Sequence, residues 1–370
     1  MAFKVTPYEV SGDVDYQKLI KEFGLKPLDK KAIDALLEFT KEDHFMLRRK
    51  IFIAERDLQK VLEEYKKGKE FFLYTGRGPS GHTHLGHLLP WIFTKWLYDK
   101  FKVDFWFQIT DDEKFVFNPK LSLKDTNHFA HENALDIIAL GFKPDRTKIV
   151  IDTECAGTMY PLAIQVAKKV TFSVVKSVFG LGNDANIGSI FYTSMQAVPA
   201  FMPSVLKGKV MNCLIAHGID QDPHFRVTRD ILPKLGYPKP ASIQNVFFPS
   251  LTKSNKMSAS MPETAVFTTD TPKDVKKKIG GALTGGRDTL AEQKEKGGQP
   301  DVCPVFKYYF FLFETDDKKL EERRSLCKKG KLMCGDCKAE LINRINAFLE
   351  IHREKREKAR KELDKYLRGD

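Results

Sequence analysis

The chain predicts an α/β fold in which a parallel sheet carries helices on its faces. Three observations support that expectation. Short apolar runs recur between helix-length segments from Phe71 onward, glycine and polar residues collect directly after those runs, and beyond Ser260 the pattern turns to helical spacing. Strands of this kind, joined by crossover helices, pack side by side as a parallel sheet. Ligands of such sheets lie at the carboxyl ends of the strands.

In chain order, residues 3–10 predict a short hairpin or extended strand pair, and helical patterns follow over 16–23, 32–39 and 57–65. Residues 1–69 therefore form an N-terminal extension. Strands are expected at 71–74, 103–110, 148–152, 212–217 and 242–248, which assigns 70–265 to the sheet domain. Residues 273–279 begin a basic helix, Gly280-Gly281 and Gly285-Gly286-Arg287-Asp288 are turns, and 305–370 are mostly helical. Leu341, Ile345, Phe348 and Leu349, then Ala359, Leu363 and Tyr366, recur at helical spacing. The charged stretch 352–358 is expected to be a solvated face. Residues 266–370 thus form a helical domain, its final helix able to pack back on the sheet domain.

At 370 residues, 42% hydrophobic and 30% charged, the chain has the make-up of an ordinary globular protein large enough for two domains. A formal net charge of +12 suits a polyanionic partner such as RNA. Residues 1–6 carry no apolar signal region. The long uncharged run 185–206 holds Gln196, Pro199 and Pro203, which argues against a membrane span. A cytoplasmic location follows as the expectation.

Two short segments carry the chemistry. His84-Leu85-Gly86-His87 follows the first strand and the loop Gly76-Arg77-Gly78-Pro79-Ser80-Gly81, and opens a helix rich in aromatics. The free N–H groups and dipole at such a helix start favour an anion. Gly86, with no side chain, lets a flat adenine lie on the backbone. His84 and His87, three apart, can face the same way and donate to charge growing on a pentavalent phosphorus. Standing alone, the two histidines fit solvated loop residues or an unrecognised metal pair as well as they fit a phosphate site. The second segment, Lys256-Met257-Ser258-Ala259-Ser260, follows the fifth strand and puts a lysine on a hydroxyl-bearing loop, where it can reach departing phosphates. Together the segments point to adenylyl transfer from ATP.

These residues resemble the HIGH and KMSKS signatures of class I aminoacyl-tRNA synthetases. The resemblance extends to 74–80, 108–114, 219–223 and 285–289, and over nearly the whole chain it is to the tryptophanyl-tRNA synthetases of archaeal and eukaryotic cytosolic type. It implies a Rossmann-like catalytic domain and a helical anticodon-binding domain. The implied reaction joins L-tryptophan to ATP as tryptophanyl-adenylate, releasing pyrophosphate, then moves tryptophan to the 3′-terminal ribose of tRNA(Trp). A carboxylate nucleophile is already ionised at neutral pH, so the site must supply alignment and charge stabilisation rather than a base. His84, His87, Lys114 and Lys256 would be catalytic. Arg77, Gly78, Gly86, Asp220, Met257 and Ser258 would complete the ATP site, with Mg²⁺ held largely by phosphate oxygens and water.

The same resemblance places the indole N–H against Tyr74 and Gln108, and the ammonium among Glu113, Gln196 and Gln221. An indole offers one donor on a large apolar body, so an acceptor in an aromatic pocket is required. A tyrosyl-tRNA synthetase would need a carboxylate three residues after Gln196, where this chain has Pro199. A small-molecule adenylyltransferase and a non-catalytic RNA-binding paralogue also fit parts of the pattern. The helical C-terminal part disfavours the first, and intact His84, His87 and Lys256 disfavour the second. His84 is already the fifth residue after Pro79, so the loop before the first signature is slightly shorter than the family's most familiar form.

The resemblance further implies a homodimer, and anticodon contacts from Arg287 and Asp288, with Lys338 beside them. An arginine can stack on a splayed base and an aspartate can accept from a cytosine amino group. Of six cysteines, Cys155 and Cys213 lie in apolar contexts and read as packing residues. Cys303, Cys327, Cys334 and Cys337 have the spacing C-x23-C-x6-C-x2-C, which suits zinc or an iron–sulfur cluster, or else free thiols.

Overall fold

The structure, a computed structural model, describes residues 3–5, 10–12, 14–252, 257 and 261–370. Its centre is five parallel strands: β5 (Phe71–Arg77), β6 (Phe105–Ile109), β7 (Thr147–Ile151), β8 (Asn212–Gly218) and β9 (Ala241–Asn245). They correspond to the five expected from sequence, ordered β7-β6-β5-β8-β9. The chain therefore runs outward from β5 through β6 and β7, then crosses back to β8 on its other side. That reversal opens a crevice at the carboxyl ends of β5 and β8, where doubly wound sheets bind ligands.

Alternation along β5 divides the core. Phe71 and Leu73 enter one apolar cluster, while Phe72 and Tyr74 enter the cluster on the opposite face. Each such buried side chain contributes on the order of 1.5–3 kcal/mol. The first cluster also takes in Leu36 and Met46 from the extension and Leu341, Ile345 and Tyr366 from the C-terminal part.

Three short strands extend the sheet beyond the expectation. β4 (Phe52–Arg56) pairs antiparallel with β9, and β3 (Lys26–Pro27) pairs antiparallel with β4. The run 51–54 is too short, between Lys50 and Glu55, to signal itself by period. At the other edge β10 (Leu367–Arg368), expected to be helical, lies parallel to β7. A two-residue strand owes its existence to the partner edge rather than to its own sequence. The remaining pair, β1 (Lys4–Val5) and β2 (Val10–Ser11), forms the expected hairpin-like ladder.

The final long helix, Cys334–Arg360, packs against the helix Leu123–Ala139, which follows β6. Here the reading of 352–358 as a solvated face holds for Glu354, Lys355, Glu357 and Lys358, which are exposed, and fails at two positions. His352 and Arg356 are buried, and both bind Asp136, at 2.9 Å and 2.5 Å. Arg356 also holds Glu132 at 2.8 Å, while the apolar Ile351 is exposed. The charged residues one turn apart find a buried acid that lies more than two hundred residues earlier, which no local pattern reveals. Among the described residues no helix is long and apolar enough to cross a membrane.

Candidate active site

The crevice at the ends of β5 and β8 is a cavity of about 400 Å³. Tyr74, Arg77, Gly78, His84, Gly86, His87, Gln108, Glu113, Lys114, Gln196, Asp220, Gln221 and Met257 all line it. The sequence-derived ATP and tryptophan candidates thus converge from well-separated stretches of chain. Lys256 and Ser258 lie outside the described residues.

The first signature opens the buried helix Leu85–Phe101. His84 is its N-cap, and the His84 backbone N–H donates to Nδ1 of His87 at 3.1 Å. The two rings stack with centroids 3.4 Å apart, so both face the same side of the helix start. Leu85 N–H donates to the Val266 carbonyl at 3.0 Å, which ties the helix start to the segment after the second signature. A Cβ on Gly86 would come within 3.1 Å of the His84 ring and 3.2 Å of the Met257 sulfur. On Gly78 it would collide with the Lys114 side chain. At both glycines neighbouring side chains occupy the space that a Cβ would take.

Arg77, expected to reach toward phosphate, is 7% exposed and bound into its own loop. Its guanidinium donates to Asn133, to the carbonyls of Gly81 (3.1 Å) and His82 (3.0 Å), and contacts His87 Nε2. Burial lowers its pKa to about 10, against a raising influence from Asp136. Asn133, one turn before Asp136, also donates to Gly81 at 3.1 Å. Sequence reading missed Asn133, because its helical neighbourhood carries no motif.

The floor is a connected chain of side-chain hydrogen bonds. Tyr74 donates to Gln108 Oε1 at 2.5 Å, and Gln196 Nε2 donates to Tyr74 at 2.9 Å and to Gln108 at 3.2 Å. Tyr192 donates to Gln196, and Gln108 Nε2 donates to Asp152 at 2.8 and 3.0 Å. Asp152 and Tyr192 were not singled out from sequence, although Asp152 marks the end of the third expected strand, where sheet ligands gather. Beside them Glu113 accepts from Thr110 at 2.6 Å and from Lys114 at 2.8 Å. Burial pushes the Glu113 carboxyl up, but Lys114 and Thr110 outweigh it and hold it below its ordinary value. Pro199, three residues past Gln196, is buried in a short turn and offers no side-chain acceptor.

These features have counterparts in known proteins. Residues 66–350 match the family described as tRNA synthetases class I (W and Y). The chain is 51% identical to the tryptophan–tRNA ligase of Pyrococcus abyssi, covering 98% of this chain and 94% of that one. It is 49% identical to the enzyme of the same name from Pyrobaculum aerophilum, covering 98% and 97%. The chain belongs to the tryptophanyl-tRNA synthetases. The crystal structure of the Plasmodium falciparum tryptophanyl-tRNA synthetase superposes with a TM-score of 0.85 at 39% identity, over 93% of this chain and 92% of that one. The fold expected from the resemblance, a Rossmann-like sheet with a helical C-terminal region, is the one these synthetases share.

The C-terminal candidates are arranged differently. Arg287 Nε donates to the Gly297 carbonyl at 2.9 Å, and Asp288 is next to it in the same turn. Lys338 donates to the carbonyls of Gly280 (2.7 Å) and Ala282 (2.8 Å), closing the end of the helix Pro272–Gly281. Cys303, Cys327, Cys334 and Cys337 line one small cavity of about 20 Å³. Among the described residues no group of three or more His, Cys, Asp or Glu is placed to hold a metal ion, so the zinc or iron–sulfur expectation gains no support. Cys303 Sγ accepts from Phe306 N–H at 3.5 Å, Cys337 Sγ from Arg323 at 3.7 Å, and burial raises the Cys337 thiol to about 11. Cys155 and Cys213 are buried packing residues, as expected.

Proposed function

We infer that this chain is a tryptophan–tRNA ligase that forms tryptophanyl-adenylate from tryptophan and ATP and passes tryptophan to tRNA(Trp). The observation that carries the reading is the continuity of the cleft. An acceptor-bearing aromatic floor around Tyr74 and Gln108 joins, without a break, a helix start bearing His84 and His87. The indole N–H meets Tyr74 and Gln108, and Glu113, Gln196 and Gln221 surround the ammonium. The carboxylate is thereby aimed at the α-phosphorus, and such alignment is worth several orders of magnitude in rate. His84, His87, Lys114 and Lys256 stabilise the charge on the phosphates, Arg77 and Gly78 shape the loop over them, and Met257 and Ser258 close the other side. Gly86 receives the adenine, and Asp220 holds ribose hydroxyls. Mg²⁺ enters with ATP as part of the substrate.

The anticodon meets the C-terminal part near Arg287, Asp288 and Lys338. The enzyme works in the cytoplasm as a homodimer. The adjacent helices Ala156–Ala167, Phe172–Phe179 and Ile187–Ala197 support the dimer, for they leave Tyr160, Ile164, Phe172, Val174 and Ile187 exposed. An apolar face of this kind is commonly covered by a partner.

ATP–pyrophosphate exchange with tryptophan and with tyrosine, without tRNA, tests the reading. Strong exchange with tryptophan alone is expected, and exchange with tyrosine alone would overturn it. In the same assay Lys256→Ala should lose most of its rate while keeping its fold. Binding of tRNA should weaken steeply with salt, as counterion release requires.

A further inference from the structure

Asp152 has no place among the groups that meet tryptophan or ATP, yet the hydrogen bonds of the cleft floor run toward it. The chain of donors passes from Tyr192 to Gln196, from Gln196 to Tyr74 and Gln108, from Tyr74 to Gln108, and from Gln108 to Asp152. An amide has a donor end and an acceptor end of nearly equal size, so burial alone cannot choose between its two orientations. A carboxylate can choose. Gln108 Nε2 lies 2.8 and 3.0 Å from the two Asp152 oxygens, and both residues are 1% exposed. The reversed amide would set a carbonyl oxygen against those acceptors where burial leaves no bulk solvent to relieve it.

We propose that Asp152 is a positioning residue for amino-acid selection: it fixes the Gln108 amide so that only acceptor oxygens, those of Gln108 and Tyr74, face the substrate's indole N–H. The inference rests on the assignment of Tyr74 and Gln108 to the indole. It adds the group that sets their polarity, two steps from the substrate. Asp152 is itself held by its backbone N–H, which donates at 3.1 Å to the carbonyl of Ile109, the residue after Gln108. Asp112 lies within side-chain hydrogen-bonding reach behind it. Burial and the neighbouring acid raise both carboxyls, that of Asp112 to about 7, so the pair retains a proton near neutrality. Both Asp152 oxygens stay turned toward Gln108 Nε2, which donates to them.

The test compares tryptophan with its benzothiophene analogue, in which sulfur replaces the indole N–H at nearly unchanged shape, by pyrophosphate exchange. The parent enzyme should strongly prefer tryptophan, because an analogue without the donor leaves the acceptors unpaired. Asp152→Asn lets the Gln108 amide turn, and the preference should fall about tenfold or more through KM for tryptophan, with kcat little changed. A merely structural role would slow both substrates equally. The double variant Gln108→Glu with Asp152→Asn restores the direction, since the amide introduced at position 152 can donate to an all-acceptor side chain at 108. It should regain preference over Asp152→Asn. Unchanged preference in Asp152→Asn overturns the role of Asp152. If that variant does not fold, the double variant decides: lack of preference in a folded double variant overturns the proposal, and preference supports it. If neither variant folds, the proposal is overturned in favour of a structural role. Absence of preference in the parent would instead overturn the assignment of Tyr74 and Gln108.

Discussion

The cleft and the cysteine cavity are both built from side chains that come from distant stretches of chain, but they differ in what fills the space between them. The cleft holds about 400 Å³, and its floor is a directed chain of hydrogen bonds ending on a carboxylate. The cysteine cavity holds about 20 Å³, and its lining apart from the thiols is largely apolar. Convergence of residues is therefore a weak sign of a ligand. Room, and polar atoms of fixed direction facing it, are the stronger sign. One element joins the two regions. The helix Cys334–Arg360 carries two of the cysteines at its start and the His352–Arg356 pair near its end, against the layer that holds the glycine loop.

From this contrast, damage should travel to the cleft from the buried ion cluster and not from the thiols. Asp136→Ala takes the acid partner from buried His352 and leaves Arg356 with Glu132 alone, and should cost about 3 kcal/mol, read by denaturant unfolding. Burial works against ionised Asp136, but His352 and Arg356 hold its pKa below the ordinary value. The stability it contributes is thus present above the usual carboxylate range and lost as pH falls through its lowered value. An Asp136→Ala variant as stable as its parent would break the link between the two regions.

Arg77→Ala removes the guanidinium that gathers Asn133, Gly81 and His82, and should slow adenylate formation about a hundredfold. Asp112→Asn should act in the opposite sense on stability. The folded-state pKa of Asp112 is raised to about 7, so the fold loses stability as pH climbs from the unfolded value toward 7. The variant should therefore gain more in Tm over its parent at a pH of about 8 than at about 5. Lys338→Ala frees two helix-end carbonyls and should cost about 1 kcal/mol. Smallest of all, Cys334→Ser with Cys337→Ser should leave tryptophan activation within about twofold, because neither thiol lines the cleft and a change remote from it is worth little. A large loss there would show that the cavity controls the cleft after all.

Much of the cleft was legible in the sequence because its residues sit at places with a local signature. His84, Gly86 and His87 mark a strand-to-helix turn, and Gln108 through Lys114 and Asp220-Gln221 follow apolar runs. Asn133 and Tyr192 gave no such sign, both lying inside helices. Asp152 ended a strand as plainly as Gln108 did. Its significance lay in a partner 44 residues away, and not in its position.

By itself the sequence determined the five parallel strands, the first signature at a helix start and the absence of an acceptor at Pro199, since each depends on neighbours within a few residues. Tertiary structure alone decided that β3, β4 and β10 complete the sheet and that His352 and Arg356 turn inward to Asp136. It also decided that the floor's hydrogen bonds run toward Asp152. In each of these cases a short or charged segment takes its place from a partner remote in sequence, because a polar group shielded from water has to find its hydrogen-bond partners within the protein.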